Sequence, residues 1–115
     1  MGNIEEHLQR GNAFKTEGRY EEAIAEFQKV ISADDCHDEA HRQLGLTYGF
    51  CGLFDESLEE LKKAIELNPQ NLAARNDLAM TFAMLGMLEE AQAEFIAVLQ
   101  LDPADETARR QLMYF

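Results

Sequence analysis

The sequence predicts an all-α protein: three antiparallel helix pairs and a short C-terminal helix, stacked as a superhelix. Three observations carry this. GRYEEAIAEF at 18–27, GLFDESLEEL at 52–61 and GMLEEAQAEF at 86–95 are variants of one segment, each 34 residues after the last. A fixed period of that size marks a repeat architecture. Within each period the apolar and small residues recur at spacings of 3, 4 and 7, which places them on one face of a helix.

The elements follow from the register. Gly18, Gly52 and Gly86 fall where a tight turn joins two helices. Seven residues earlier stand small Gly11, Gly45 and Ala79, and three after those the aromatics Phe14, Tyr48 and Phe82. Past the turn come Tyr20, Phe54 and Leu88, small Ala23, Ser57 and Ala91, large Phe27, Leu61 and Phe95, then Val30, Ala64 and Val98. Small residues opposite large ones let two helices approach and interdigitate. Asn68-Pro69 and Asp102-Pro103 stop the second helices, because proline cannot continue the hydrogen-bond ladder. Asp34-Asp35 stands in that place after the first pair.

Composition excludes several classes. A net charge of −12 opposes binding to nucleic acid and to anionic membrane surfaces. No apolar run approaches the roughly 18 residues that span a bilayer, and the N-terminal MGNIEEHLQR is not a signal peptide. Gly2 is not read as a myristoylation site, since Glu6 stands where Ser or Thr is required. Cys36 and Cys51 fall at opposite ends of one expected helix, about 20 Å apart, too far for a disulfide. A reducing, cytoplasmic setting is the expectation. No phosphate loop, metalloprotease motif or nucleophile elbow is present, so no enzyme activity and no cofactor are expected. In DDCHDEAH (34–41), Asp34, Asp35, Cys36, His37 and His41 have metal-ligand chemistry, but loop, helix-cap and half-buried packing roles explain them, and no metal site is expected.

Leu44-Gly45 with Tyr48, Ala91 with Phe95, and the two prolines, set on a 34-residue period, resemble the tetratricopeptide repeat family. On that register the repeats are 4–37, 38–71 and 72–105, with 106–115 forming a last helix in a single domain. His7, His41 and Arg75 depart from the family's early Trp or Leu site, a local weakening of the core. Arg10 replaces the leucine of Leu44 and Leu78, as a polar cap requires. At the other end Leu112, Met113, Tyr114 and Phe115 are more apolar surface than one helix can hide.

The resemblance implies a protein-interaction module, an adaptor, scaffold or chaperone-like protein, with a peptide or protein partner on the concave face of the first helices. The family's carboxylate clamp for chaperone C-termini would need Lys, Asn, Asn, Lys and Arg where this chain has Leu8, Asn12, Gln43, Ala73 and Asp77; only Asn12 matches. In its place is an apolar stripe, Leu8, Leu46, Phe50, Met80 and Met84, with Phe50 and Met84 expected to be half buried. Asn12, Arg42, Gln43 and Asn76 flank it. Met and aromatic side chains suit adaptable binding of an apolar or amphipathic peptide. The alternative is weak self-association through Met113, Tyr114 and Phe115.

Overall fold

A computed structural model describes residues 3–115. Gly2, and with it the myristoylation reading, lies outside the described residues. The described chain is seven helices without a strand: α1 Ile4–Thr16, α2 Tyr20–Ala33, α3 Asp38–Phe50, α4 Phe54–Leu67, α5 Leu72–Met84, α6 Leu88–Leu101 and α7 Glu106–Leu112.

Local chemistry sets the boundaries. The odd-numbered helices begin at a side-chain cap, with Asn3, His37, Asn71 and Asp105 each accepting from the backbone N–H three residues on. Gly18, Gly52 and Gly86 close α1, α3 and α5 at φ 79°, 77° and 78°, the left-handed region. The next N–H then reaches back to the aromatic carbonyl, as from Arg19 to Phe14 at 2.8 Å and from Leu53 to Tyr48 at 2.9 Å. Where α2 ends, the Asp34 carboxylate accepts from Cys36 N–H at 3.1 Å. Asn68 and Asp102 make the same turn at 3.1 Å, so Asp34 works without a following proline.

The core is a row of clusters, each joining neighbouring repeats. Ala23 and Phe27 of α2 pack on Leu44 of α3; Leu61 of α4 packs on Leu78 and Phe82 of α5; Phe95 and Val98 of α6 pack on Ala79 and Ala108. No repeat covers its own apolar face, so stability accumulates by neighbour contacts. The closest approaches are at glycine. A Cβ on Gly11 would lie 2.5 Å from the Phe27 ring, and one on Gly45 would lie 2.8 Å from Leu61 Cγ and 3.2 Å from the Ser57 carbonyl.

The departure at His7, His41 and Arg75 is a polar link rather than a weakened apolar contact. His7 Nδ1 donates to Glu26 at 2.9 Å, His41 Nδ1 to Glu60 at 2.7 Å and Arg75 to Glu94 at 3.5 Å, the same pair in every repeat. His41 is buried, not half buried, and its Nε2 meets the Asp35 carbonyl at 2.9 Å. His37 Nδ1 accepts from Ala40 N–H as the α3 cap. His41 thus has both ring nitrogens engaged, while Asp34, Asp35 and Cys36 lie together and exposed in the loop before α3. Cys36 and Cys51 are free thiols at the surface.

At the C-terminal end Leu112 is half buried against the Phe95 cluster, and the Phe115 ring sits 6.2 Å from that of Phe95. Met113 and Tyr114 stay 82% and 80% exposed. Phe115 is still 43% exposed, so of the four only Leu112 is substantially covered. Among the described residues, no helix is long and apolar enough to cross a membrane.

Gly45→Ala should lower stability by about 1–3 kcal/mol, because the neighbouring atoms include backbone and must shift. It reads out as a lower urea midpoint at unchanged slope; an unchanged midpoint contradicts the packing account. A second expectation concerns Glu26. The hydrogen bond from His7, then that from Lys29 at 2.8 Å, holds its carboxyl below the ordinary value of 4.5. A depressed carboxyl stabilises the fold above that ordinary value, and the contribution is lost as pH falls through the lower folded value. Glu26→Gln should cost about 1–2 kcal/mol at pH 7 and make the acid-side decline shallower. An acid limb of unchanged slope argues against the link.

Candidate groove on the first helices

Helix α3 lies between α1 and α5, and polar side chains stitch the three together. Lys15 donates to the Gln43 side-chain carbonyl. Gln43 and Arg42 both donate to Glu39, at 2.8 and 2.9 Å, and Arg42 Nε reaches Asp77 at 2.7 Å. Burial pushes the Lys15 ammonium down, and the nearby Arg42 adds to it. Burial also pushes the Asp77 carboxyl up, although Arg42 holds it back. The cations and carboxylates largely neutralise one another, so this face is not an open charge.

Beside this chain of contacts is a cavity of about 130 Å³. Leu46 and Phe50 of α3 wall one side and Met80 and Met84 of α5 the other, with Gly49, Phe54, Ser57, Asp77 and Thr81 completing the lining. Four of the five stripe residues come together here. Leu8 does not; it packs partly buried on Ala23, Phe27 and Leu44, between the first two repeats.

Phe50 and Met84 are 56% and 68% exposed, against the expected half burial. Each is the last residue of its helix, so no following turn covers it; Phe50 only leans on Tyr20, ring centres 5.6 Å apart.

The flanking polar residues differ in how far they are already engaged. Arg42 is committed to two carboxylates, and buried Gln43 uses both ends of its amide. Asn76 is buried and donates to Asp105 at 3.2 Å. The Asn12 and Asn76 carbonyl oxygens are buried without a partner among the described residues. Sequence reasoning passed over the Ser57 hydroxyl and the Arg42–Asp77 pair. Ser57 stood in a row with Ala23 and Ala91, where only its size was read; its hydroxyl was the available signal.

Tetratricopeptide repeat family models match residues 52–113 and 7–35. The chain belongs to the tetratricopeptide repeat family. No curated protein sequence gives a significant match. Among solved structures, the second such domain of human RPAP3, in complex with the HSP70 peptide SGPTIEEVD, is 29% identical, with TM-score 0.86 over 94% of this chain and 90% of that one. The first domain of Spaghetti (RPAP3), bound to the HSP90 peptide SRMEEVD, is 24% identical, with TM-score 0.90 over 96% and 88%. The Arabidopsis OM64 domain is 19% identical, with TM-score 0.91 over 96% and 92%. At these identities the last two show the superhelical fold alone.

Proposed function

We propose that this chain is a peptide-binding interaction module that takes an apolar or amphipathic segment along α1, α3 and α5. The observation that carries the reading is the cavity between Leu46, Phe50, Met80 and Met84, apolar side chains left open on that face. The RPAP3 domains solved with chaperone peptides support a peptide as the class of ligand. An acidic terminus of the EEVD kind is not the proposed ligand. Leu8, Gln43, Ala73 and Asp77 replace the clamp's other residues, so no free cation stands at those places to hold a terminal carboxylate.

Leu46, Phe50, Met80 and Met84 form the contact, while Leu8 lies apart from it, packed on Ala23, Phe27 and Leu44. Asn12 and Asn76 flank the contact with their carbonyl oxygens buried, while Arg42 and Gln43 shape the floor through their own pairs. Each side chain buried contributes about 1.5–3 kcal/mol in transfer terms. Association and peptide ordering offset several kcal/mol of that, which leaves a Kd of about 1 μM. Salt should have little effect, because apolar contact is not screened.

Exposed Met113 and Tyr114 favour a second reading, weak self-association at α7, and mass that rises with concentration and depends on residues 113–115 would favour it.

Peptides selected from a random display library on the wild-type protein provide the probe. The Leu46→Glu, Met80→Glu double variant places two carboxylates in the cavity without touching a core contact. It should remain helical and bind the selected peptides at least tenfold more weakly. Equal binding would place the site elsewhere, first on the acidic second helices.

A further inference from the structure

The cavity between α3 and α5 has a counterpart one repeat further on. A second hollow, wider at about 510 Å³, opens where the end of α5 and the start of α6 meet α7. Ala83, Leu88, Gln111, Tyr114 and Phe115 line it. Each stands 34 residues after a residue lining the first, namely Gly49, Phe54, Asp77, Met80 and Thr81. The two hollows are one feature of the repeat, present twice, on either side of α5.

One repeat earlier the same feature is closed. Lys15, Tyr20 and Gln43 stand there at the positions of Gly49, Phe54 and Asp77. Lys15 donates to the Gln43 side chain, and the Tyr20 ring meets Phe50 with centres 5.6 Å apart, so the protein's own side chains occupy the place. At the two open steps Lys15 gives way to Gly49 and Ala83, which cannot reach across. The backbone does not call for Gly49: it lacks the positive φ of Gly18, Gly52 and Gly86, and a Cβ there would come no nearer than 3.4 Å to another group. Glycine is otherwise disfavoured within a helix.

The linings define what fits. Both are walled by apolar side chains open to solvent, with Leu88 55% and Tyr114 80% exposed in the second. In the first, the polar members are already engaged: the Asp77 carboxylate accepts from Arg42 at 2.7 Å, and the Thr81 hydroxyl donates to the Asp77 backbone carbonyl at 2.9 Å. Gln111 takes the place of Asp77 in the second hollow, and Glu89 also lines it. Each lining thus contains a carboxylate and neither contains a lysine or arginine, in a chain of net charge −12. Charge therefore opposes an acidic occupant in both.

We infer that the groove takes a segment with two uncharged apolar anchors, one seated in each hollow, and no carboxylate between them. This rests on the groove reading above and specifies its ligand. The Arg42–Asp77 pair ties α3 to α5, and the bond from Asn76 to Asp105 ties α5 to the cap of α7. Helices packed side by side stand about 8–10 Å apart, which sets the distance between anchors at about 10 Å. A polyproline-type chain covers about 9 Å in three residues, and a helix about 10.5 Å in seven, each returning to the same face. Once one anchor is seated, the second binds as an intramolecular step.

The test titrates peptides selected on the wild-type groove against the full chain by fluorescence anisotropy, at concentrations where the mass is that of one chain. The peptides should share two apolar positions at one of those spacings, and alanine at either should weaken binding about tenfold. Gly49→Lys and Ala83→Lys copy the closed step at Lys15, and each should weaken the two-anchor peptide about tenfold. Ala83→Lys should change the affinity of a peptide already lacking its second anchor by less than about twofold. Tyr114→Ala, at a side chain the core does not use, should reproduce the Ala83→Lys pattern without adding a charge. Glutamate between the anchors should cost about fivefold. Selected peptides with one anchor position, or binding unmoved by both Ala83→Lys and Tyr114→Ala, overturn the two-anchor ligand while leaving the groove reading intact. A glutamate tolerated between the anchors overturns its charge requirement. Should the selected peptides bind the Leu46→Glu, Met80→Glu protein as tightly as wild type, the groove reading and the two-anchor ligand fall together.

Discussion

The close approach of paired helices at Gly11, Gly45 and Ala79 is the constraint on which the rest depends. With no side chain, or only a methyl, on one helix, the Phe27, Leu61 and Phe95 side chains of the next sink to full burial. Helix-to-helix distance is thereby fixed in each pair, and the buried faces of α2, α4 and α6 are aimed at the following repeat. Those faces receive Leu44, Leu78 and Ala108. The order of α1, α3 and α5 along one surface follows from the same contact, three times over. The His7–Glu26, His41–Glu60 and Arg75–Glu94 pairs tie each first helix to its second at a fixed height. Hydrophobic contact alone, being non-directional, would not do that.

On the surface so formed, polar and apolar chemistry are separated. Lys15, Glu39, Arg42, Gln43 and Asp77 bind one another across the repeats and leave little net charge. Such a network holds the helices in register more than it attracts a ligand. The proposed ligand-facing part is the adjoining cavity, where methionine, leucine and phenylalanine side chains line the space between α3 and α5. A rigid polar seam beside adaptable thioethers suits a binder whose backbone is preorganised while its contact surface adjusts.

Much of this was legible in the sequence because it rests on periodic, local chemistry. Turn glycines, small-against-large rows and the helix stops each repeat three times, and a period of 34 residues makes even a weak signal specific. What was not legible depended on contacts between residues far apart in the chain. His7 and His41 read as weak apolar positions because Glu26 and Glu60, each nineteen residues on, do not announce a partner. Phe50 and Met84 read as half buried because side-chain type suggests burial, whereas their place at a helix end leaves them open. Arg42 read as a ligand contact, and only the fold brings Asp77 to its guanidinium. Gly49 and Ser57 are eight residues apart and unremarkable until the turn between α3 and α4 sets one over the other.

The methionines offer the most direct measurement of where a ligand sits. Met80 and Met84 lie in the cavity wall, and Met113 stands exposed at the end of α7. In a protein carrying 13C-labelled methionine methyls, adding a selected peptide should shift and broaden the Met80 and Met84 signals, with peptide-to-methyl Overhauser contacts, while Met113 stays in place. A peptide that binds yet moves Met113 and leaves Met80 and Met84 untouched would contradict the groove account.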